Sequence, residues 1–292
     1  PPRSTPLYSS AASDVYKRQA QILYGKPVAK QLDDISSEVF QQYSKEDKKP
    51  HMTAITVGDN PASLLYVSRK EEKAKELGVL FHWIKLDVNT TQETLEDIVI
   101  ENSKNTDGLI IQLPLPEHLN QEKAINCIPY HVDVDGLTAH NLGSLFSNTF
   151  KLIPATSLAV LELLKFYDIQ TSDKNIVIAG RSRLVSAPLA KILSSKDYDG
   201  NVTVIHSKTT NQKLYTQNAD IFISAIGSPK LYDYSYINEG ATVIDIGISS
   251  VDNKTYGDVD TDNLDQVVNL SLIHISEPTR RTPISYAVFC LK

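Results

Sequence analysis

The chain has 292 residues, 41% hydrophobic and 22% charged, enough for two soluble globular domains. No apolar run approaches the ~18 residues a membrane helix needs, so no membrane partner is expected, and a formal net charge of −6 gives nucleic-acid binding no support. Two cysteines, Cys127 and Cys290, are too few for a disulfide framework and suit a reducing cytoplasm.

The chain does not begin with methionine, and its only one is Met52. Residues 1–19, PPRSTPLYSSAASDVYKRQ, follow neither a helical nor a strand period. Residues 271–292, SLIHISEPTRRTPISYAVFCLK, follow an acidic stretch of helical composition with no turn or cap between. Both ends resemble translated sequencing-adapter read-through and are set aside as foreign, the alternative being a native disordered arm and an unusual native tail. Each carries net positive charge, so the core between them is more acidic than the whole, and Cys290 leaves with the tail.

From residue 28 the pattern is helical, with Val28, Leu32, Ile35 and Val39 three or four apart, until Lys45–Pro50 breaks it. HMTAITVG (51–58) reads as a short apolar strand. Asn60 then Pro61 starts a helix that Gly78 ends. VLFHWIKL (79–86) is the next strand, and Thr90 with Glu93 forms a capping box for a helix to about Lys104. GLIIQLPL (108–115) is a third strand, a short helix covers Gln121–Ile128, and the loop HVDVDGL follows. Thr156–Tyr167 is a helix, KNIVIAG (174–180) a strand apolar enough to be buried on both faces, and Ala187–Ser194 a helix. NVTVIHS (201–207), DIFISAIG (220–227) and ATVIDIG (241–247) are further strands. Alternating strands and helices predict an α/β fold with parallel sheets, divided where the loops lengthen at 139–155.

In the second half, a strand ending at Gly180, a polar loop GRSRLVSAP and then a helix make the place where a dinucleotide phosphate sits, at free helix N–H groups. The loop is not the GxGxxG fingerprint, so its context carries the reading. The next strand ends in His206-Ser207-Lys208, without the carboxylate an NAD ribose would use, while Arg181 and Ser182 suit a 2′-phosphate. NADP is therefore expected over NAD, the bland alternative for Arg181 being a solvated loop arginine.

In the first half, Tyr66 and Lys70 share a helix face, although a lysine among Arg69, Glu71, Glu72, Lys73 and Lys75 is ordinarily a solvated charge. Gln112 interrupts an apolar strand, so its amide is either structural or aimed into a site at the strand's end. Asp133 and Asp135 flank Val134 as a metal pair or as turn formers; no His or Cys spacing supports a metal, and none is expected.

Taken in order, GDNPASLLYVSRKEEKAKELG, DGLIIQLPLP, DVDGL with Asn141 and Gly143, GRSRLV, VTVIHSKT and GATVIDIGI resemble the bifunctional methylenetetrahydrofolate dehydrogenase/cyclohydrolase family over about residues 21–268. The resemblance implies a folate-binding catalytic domain (20–148) and a Rossmann-like NADP domain (149–270) facing each other across a ligand cleft, in a cytoplasmic homodimer. It implies NADP-dependent oxidation of 5,10-methylenetetrahydrofolate, hydrolysis of the methenyl product to 10-formyltetrahydrofolate, and a place in one-carbon metabolism serving purine and amino-acid biosynthesis. Lys70 matches the catalytic lysine, Tyr66 its neighbour, Gln112 the glutamine that contacts the lysine, and Asp135 the aspartate that holds the pterin; Gly180, Arg181, Ser182, Ser207 and Ile248 match NADP-contacting positions.

The chain departs from that pattern in places. Val132 replaces a lysine, Ala155-Thr156-Ser157-Leu158-Ala159 replaces Cys-Thr-Pro-x-Gly, and Ser186 replaces a glycine, where a Cβ is expected to crowd the pyrophosphate. The family's closing Pro-Gly-Gly-Val-Gly-Pro loop and final helix are replaced by 271–292. The natural product is accordingly expected to be longer, and this chain less stable and poorly active. Other readings are a monofunctional enzyme of this fold, a non-catalytic NADP- or folate-binding relative, and an NADP oxidoreductase with another substrate.

Overall fold

A computed structural model describes residues 22–45, 49–252, 254–261 and 269–272. The arm 1–19, the acidic stretch 262–268 and all but the first two residues of the expected foreign tail lie outside the described residues.

The first half runs α1 (Gly25–Lys45), β1 (His51–Val57), α2 (Pro61–Glu76), β2 (Leu80–Leu86), α3 (Gln92–Ser103), β3 (Gly108–Ile111), α4 (Gln121–Asn126) and α5 (Ala139–Phe146). β1 lies between β2 and β3 and pairs parallel with both. Asn60 caps α2 as expected, its side chain accepting from Ser63 N–H at 3.1 Å, and Gly78 leaves it at φ +75°. The cap of α3 is Thr91 and not Thr90: Thr91 Oγ1 accepts from Thr94 N–H at 3.2 Å, while the Thr90 hydroxyl donates to Asp87 O at 2.6 Å. β3 is shorter than 108–115, because after Gln112 N–H reaches Ile55 O (2.9 Å) the chain meets Pro114, which has no N–H. α5 stands where long loops were expected; eight residues are too few to display a period.

The second half runs α6 (Ala155–Phe166), β4 (Asn175–Ala179), α7 (Ser186–Leu193), β5 (Asn201–Ile205), α8 (Gln212–Thr216), β6 (Ile221–Ser224), β7 (Thr242–Asp245), a hairpin of β8 (Ser249–Val251) and β9 (Lys254–Tyr256), and β10 (Asn269–Leu272). Its parallel sheet has the order β10-β7-β6-β4-β5. β4 therefore has β5 on one side and β6 on the other, the switch point at which such sheets take ligands. β10 pairs with β7, so Ser271 and Leu272 belong to a strand although they open the tail expected to be foreign. α8, the hairpin and β10 were not anticipated.

α1 serves both halves. Val28 and Leu32 pack with Ala159 of α6, whereas Phe40 packs with Met52, Ala54 and Val67. The predicted helix period holds but its phase shifts: Ile35 is exposed, and Ser36 and Phe40 continue the buried line. Lys73, one of the charged residues that surround Lys70 on α2, is buried, with its ammonium 2.5 Å from Asp33 of α1 and 3.1 Å from Glu76. An unpaired buried ammonium would be strongly destabilising, so Asp33 is what lets α2 face α1 here.

Two wholly buried carboxylates tie the ends of β6 and β7 together. Asp258 accepts from Ser224 Oγ (2.7 Å) and from the N–H groups of Ile226, Gly227 and Ser228 (2.8, 2.9 and 2.7 Å). Asp245 accepts from the N–H groups of Gly247, Asp258 and Val259 (3.0, 3.2 and 2.9 Å). A Cβ on Gly247 would lie 2.0 Å from Asp258 Cγ, so a side chain cannot stand there.

Burial pushes the Asp245 carboxyl up to about 7, and the Asp258 charge adds to this against the three N–H donors. A carboxyl whose pKa is raised on folding stabilises the chain fully below its ordinary value of 3.8 and loses that contribution as pH rises through about 7. In urea unfolding between about pH 4 and about pH 8, Asp245→Asn is expected to remove a downward slope that the parent chain shows. An identical slope in both proteins would refute the assignment.

Candidate active site

α2 begins just after β1 ends, and Gln112 directly follows β3, so the side chains of both meet at the C-terminal edge of the first sheet. Lys70 Nζ donates to Gln112 Oε1 at 3.3 Å. Gln112 Nε2 donates to Leu113 O at 2.8 Å, which turns the amide so that its oxygen faces the lysine. Tyr66 lies one turn before Lys70 on α2 and is half-buried.

The two aspartates of the 133–135 segment divide their work. Asp133 is buried, accepting from Leu137 N–H (3.3 Å), Thr138 N–H (2.9 Å) and Asn141 Nδ2 (2.8 Å). Asn141 also donates to Tyr130 O at 2.9 Å, so the motif's asparagine staples the loop to α5. Asp135 takes none of these donors. Burial raises its pKa, the nearby Lys70 charge opposes the rise, and Asp133 adds to it. Lys70 and Gln112 are thus in contact and Asp135 lies within the field of the lysine, while Asp133 is taken up by its own loop's donors. Gly136 turns the loop at φ +69°; a Cβ there would meet the Leu152 side chain at 2.5 Å. Val132 is a core residue.

The nucleotide candidates gather at the C-terminal edge of the second sheet. Gly180 follows β4 at φ +122°, and a Cβ on it would lie 2.7 Å from Ala225 O, past the end of β6. This is a cradle that only glycine can form. Its N–H reaches Ile205 O at the end of β5 (2.8 Å). Arg181 is exposed, and no partner holds its guanidinium among the described residues. Ser182 Oγ accepts from Val185 N–H at 3.2 Å, shaping the loop into α7. Ser207 is exposed beyond β5, and Ile248 O lies 3.7 Å from where Gly227 would carry a Cβ. A bare glycine edge, a helix start with no side-chain cap at Val185, an unpaired arginine and no carboxylate after β5 fit a dinucleotide with a 2′-phosphate.

The departures fare differently. Ser157 is buried, and its hydroxyl donates to Val185 O at 3.1 Å, so it has a partner where the family pattern has proline. Ser186 does not stand at the mouth of the loop, where it was expected to crowd a pyrophosphate. It is wholly buried, and its Oγ lies 2.8 Å from the Cβ position of Gly180, with no hydrogen-bond partner. Sequence reasoning missed the bracing by Asp245 and Asp258, and also Arg183, because each acts through contacts between separate segments of the chain; it missed Asp133 because either aspartate of the loop could have taken the loop's donors.

Residues 23–135 match the tetrahydrofolate dehydrogenase/cyclohydrolase catalytic domain, and residues 154–272 match the NAD(P)-binding domain of the same family. A bifunctional FolD protein of Borrelia garinii subsp. bavariensis is 41% identical over 254 residues, covering 85% of this chain and 84% of its own. The mitochondrial bifunctional methylenetetrahydrofolate dehydrogenase/cyclohydrolase of Gallus gallus is 36% identical, covering 89% and 81%. Among solved structures, the bifunctional FolD enzyme of Campylobacter jejuni superposes with a TM-score of 0.85 at 30% identity, covering 93% and 96%. The Trypanosoma brucei methylenetetrahydrofolate dehydrogenase-cyclohydrolase, complexed with NADP and an inhibitor, gives 0.85 at 28% identity, covering 93% and 95%.

A buried hydroxyl without a partner costs roughly 1–3 kcal/mol. Ser186→Ala is therefore expected to raise the unfolding free energy by about 1 kcal/mol, read from the denaturation midpoint at unchanged slope. A loss of stability would mean that the hydroxyl has a partner.

Proposed function

This chain belongs to the tetrahydrofolate dehydrogenase/cyclohydrolase family, and from that membership we infer that it oxidises 5,10-methylenetetrahydrofolate with NADP and hydrolyses the 5,10-methenyl product to 10-formyltetrahydrofolate. One observation carries the assignment to particular residues: the lysine and glutamine of the family pattern are in contact at 3.3 Å, with Asp135 in the field of the lysine. Residues 20–148 are assigned to the folate side and 149–270 to the nucleotide side, the two family matches leaving only 136–153 between them. The homodimer, the cytoplasmic location and a role in supplying purine and amino-acid biosynthesis belong to the same proposal and rest on the family.

Bound NADP supplies the hydride acceptor. Oxidation leaves a cation delocalised over folate nitrogens, so the chain's task in that step is placement. Asp135 does this with two acceptor oxygens for the donor-rich edge of the pterin. The Lys70 charge favours the ionised form that this requires, against the burial that opposes it.

Hydrolysis needs a proton removed from the attacking water and one delivered to the departing ring nitrogen. Lys70 Nζ holds and transfers that proton, oriented by Gln112 Oε1 and with Tyr66 beside it. On the nucleotide side the Gly180 backbone would leave room for the diphosphate, Arg181 and Ser182 would hold the 2′-phosphate, and Ser207 and Ile248 would complete the site.

Lys70→Met is expected to lower cyclohydrolase activity by about 10²–10⁴-fold, the range of general acid–base catalysis, without moving the unfolding midpoint. A full rate would remove Lys70 from the mechanism. The cofactor is tested by following reduced nicotinamide with methylenetetrahydrofolate and either NADP or NAD. Reduction is expected with NADP, and Arg181→Ala is expected to raise the KM for NADP by roughly tenfold or more, the worth of one charged hydrogen bond. Turnover with NAD alone would overturn the reading of Arg181.

A further inference from the structure

One guanidinium joins the two halves beside both candidate sites. Arg183 lies in the loop between β4 and α7, next to Ser182. Its Nη2 donates to Leu137 O at 2.8 Å, and its Nη1 donates to Glu122 Oε1 at 2.9 Å. Leu137 stands two residues after Asp135, in the loop that Asp133 clamps. Glu122 is on α4, and one turn further along α4 Asn126 Oδ1 accepts the Ala139 N–H at 2.7 Å, at the start of α5. The arginine therefore grips the loop that carries Asp135 and also the helix that braces that loop.

We propose that Arg183 is a positioning residue: it straps the phosphate loop of the nucleotide half to the Asp135 loop of the folate half, and so sets the distance for hydride transfer without touching either reactant. The proposal rests on the folate and NADP reading above.

The two bonds are unequal. Glu122 is 74% exposed, so its ion pair is screened and contributes little. The bond to Leu137 O is charge-assisted and more sheltered, and its acceptor is a backbone atom that cannot swing away. The planar fork sets orientation as well as distance, which a lysine ammonium would not. The Nε is enclosed without a partner, so the arginine keeps this pose for the sake of its outer nitrogens and against the cost of an orphaned donor.

The two reactions differ in what they need from this strap. Hydride transfer requires the pterin, held from Asp135, to meet a nicotinamide held from the second half. Hydrolysis uses Tyr66, Lys70, Gln112 and Asp135, all within the first half. A misplacement of ~1 Å between reacting groups can cost on the order of 10²-fold in rate, and losing the strap would impose this on the dehydrogenase step alone.

The test uses the full chain with Arg183→Met and Arg183→Lys, measuring dehydrogenase activity and, separately, cyclohydrolase activity on added methenyltetrahydrofolate. The methionine variant is expected to lose roughly tenfold or more in dehydrogenase kcat, while cyclohydrolase stays within about twofold, and lysine restores part of the loss. An equal fall in both activities, or no fall in either, overturns the proposal. Backbone hydrogen exchange across 136–142, with no substrate present, reads the strap directly: it should quicken in Arg183→Met, and unchanged exchange also overturns the proposal. A parent chain silent in both assays, with exchange that quickens in the variant, would support the strap and overturn the folate reading.

Discussion

Parallel pairing governs where chemistry can occur in this molecule. A parallel strand can be reached only by a crossover, so each crossover leaves from the same edge of its sheet. Both sheets here are parallel. The segments that leave β1 and β3 therefore carry Lys70 on α2, Gln112 just past β3 and Asp135 beyond α4, and the loops after β4, β5, β6 and β7 carry Gly180, Ser207, Gly227 and Ile248. In the second sheet the chain crosses β4 between its two neighbours, which leaves the edge open for a ligand beside Gly180.

Holding such loops requires backbone N–H groups to be satisfied away from the ladders, and the chain does this repeatedly with a buried carboxylate. Asp133 takes two N–H groups and an amide, Asp245 three N–H groups, and Asp258 three N–H groups and a hydroxyl. A carboxylate suits this because it offers several acceptor sites and no donor. Burying it is tolerable only with those bonds in place. Asp135 differs in taking none of the loop's donors: burial and the neighbouring Asp133 raise its pKa, and the Lys70 charge opposes the rise. The glycines complete this arrangement: Gly247 and Gly180 are there because Asp258 and Ala225 O occupy the space a Cβ would need.

The halves are coupled by packing as well as by Arg183. α1 buries its first turns against α6 and a later residue, Phe40, against the first sheet; Leu145 of α5 joins the core of the second half while Asn141 of the same helix staples the Asp133 loop. Within this arrangement the departures from the family pattern have particular consequences. Ser157 is accommodated by Val185 O, whereas Ser186 fills the strand–helix contact beside Gly180 with a hydroxyl that finds no acceptor.

Much of the fold was legible in the sequence, because its cues are local. Asn60-Pro61 and Gly78 mark the ends of α2 through the hydrogen-bonding needs of helix termini, and the apolar runs of β1, β4, β6 and β7 mark strands buried on both faces. Six motifs in order pointed to the family, and with it to Lys70, Gln112 and Asp135. The phase of α1 was settled by neighbours distant in sequence and α5 was too short to show a period, whereas the early end of β3 at Pro114 and the choice of Thr91 over Thr90 turned on local hydrogen bonding that composition leaves open. The burial of Lys73 against Asp33 and the reach of Arg183 to Leu137 O depend on residues far away in the chain, and the contrast between Asp133 and Asp135 on how the loop between them and α5 folds. The sequence by itself determined the order and type of the longer helices and the apolar strands, and the residues available for chemistry, since propensity, capping and hydrophobic period act over a few residues. Only the tertiary structure decided which of those residues clamp, which pair and which remain for a ligand, since hydrogen bonding and desolvation depend on what lies across the fold.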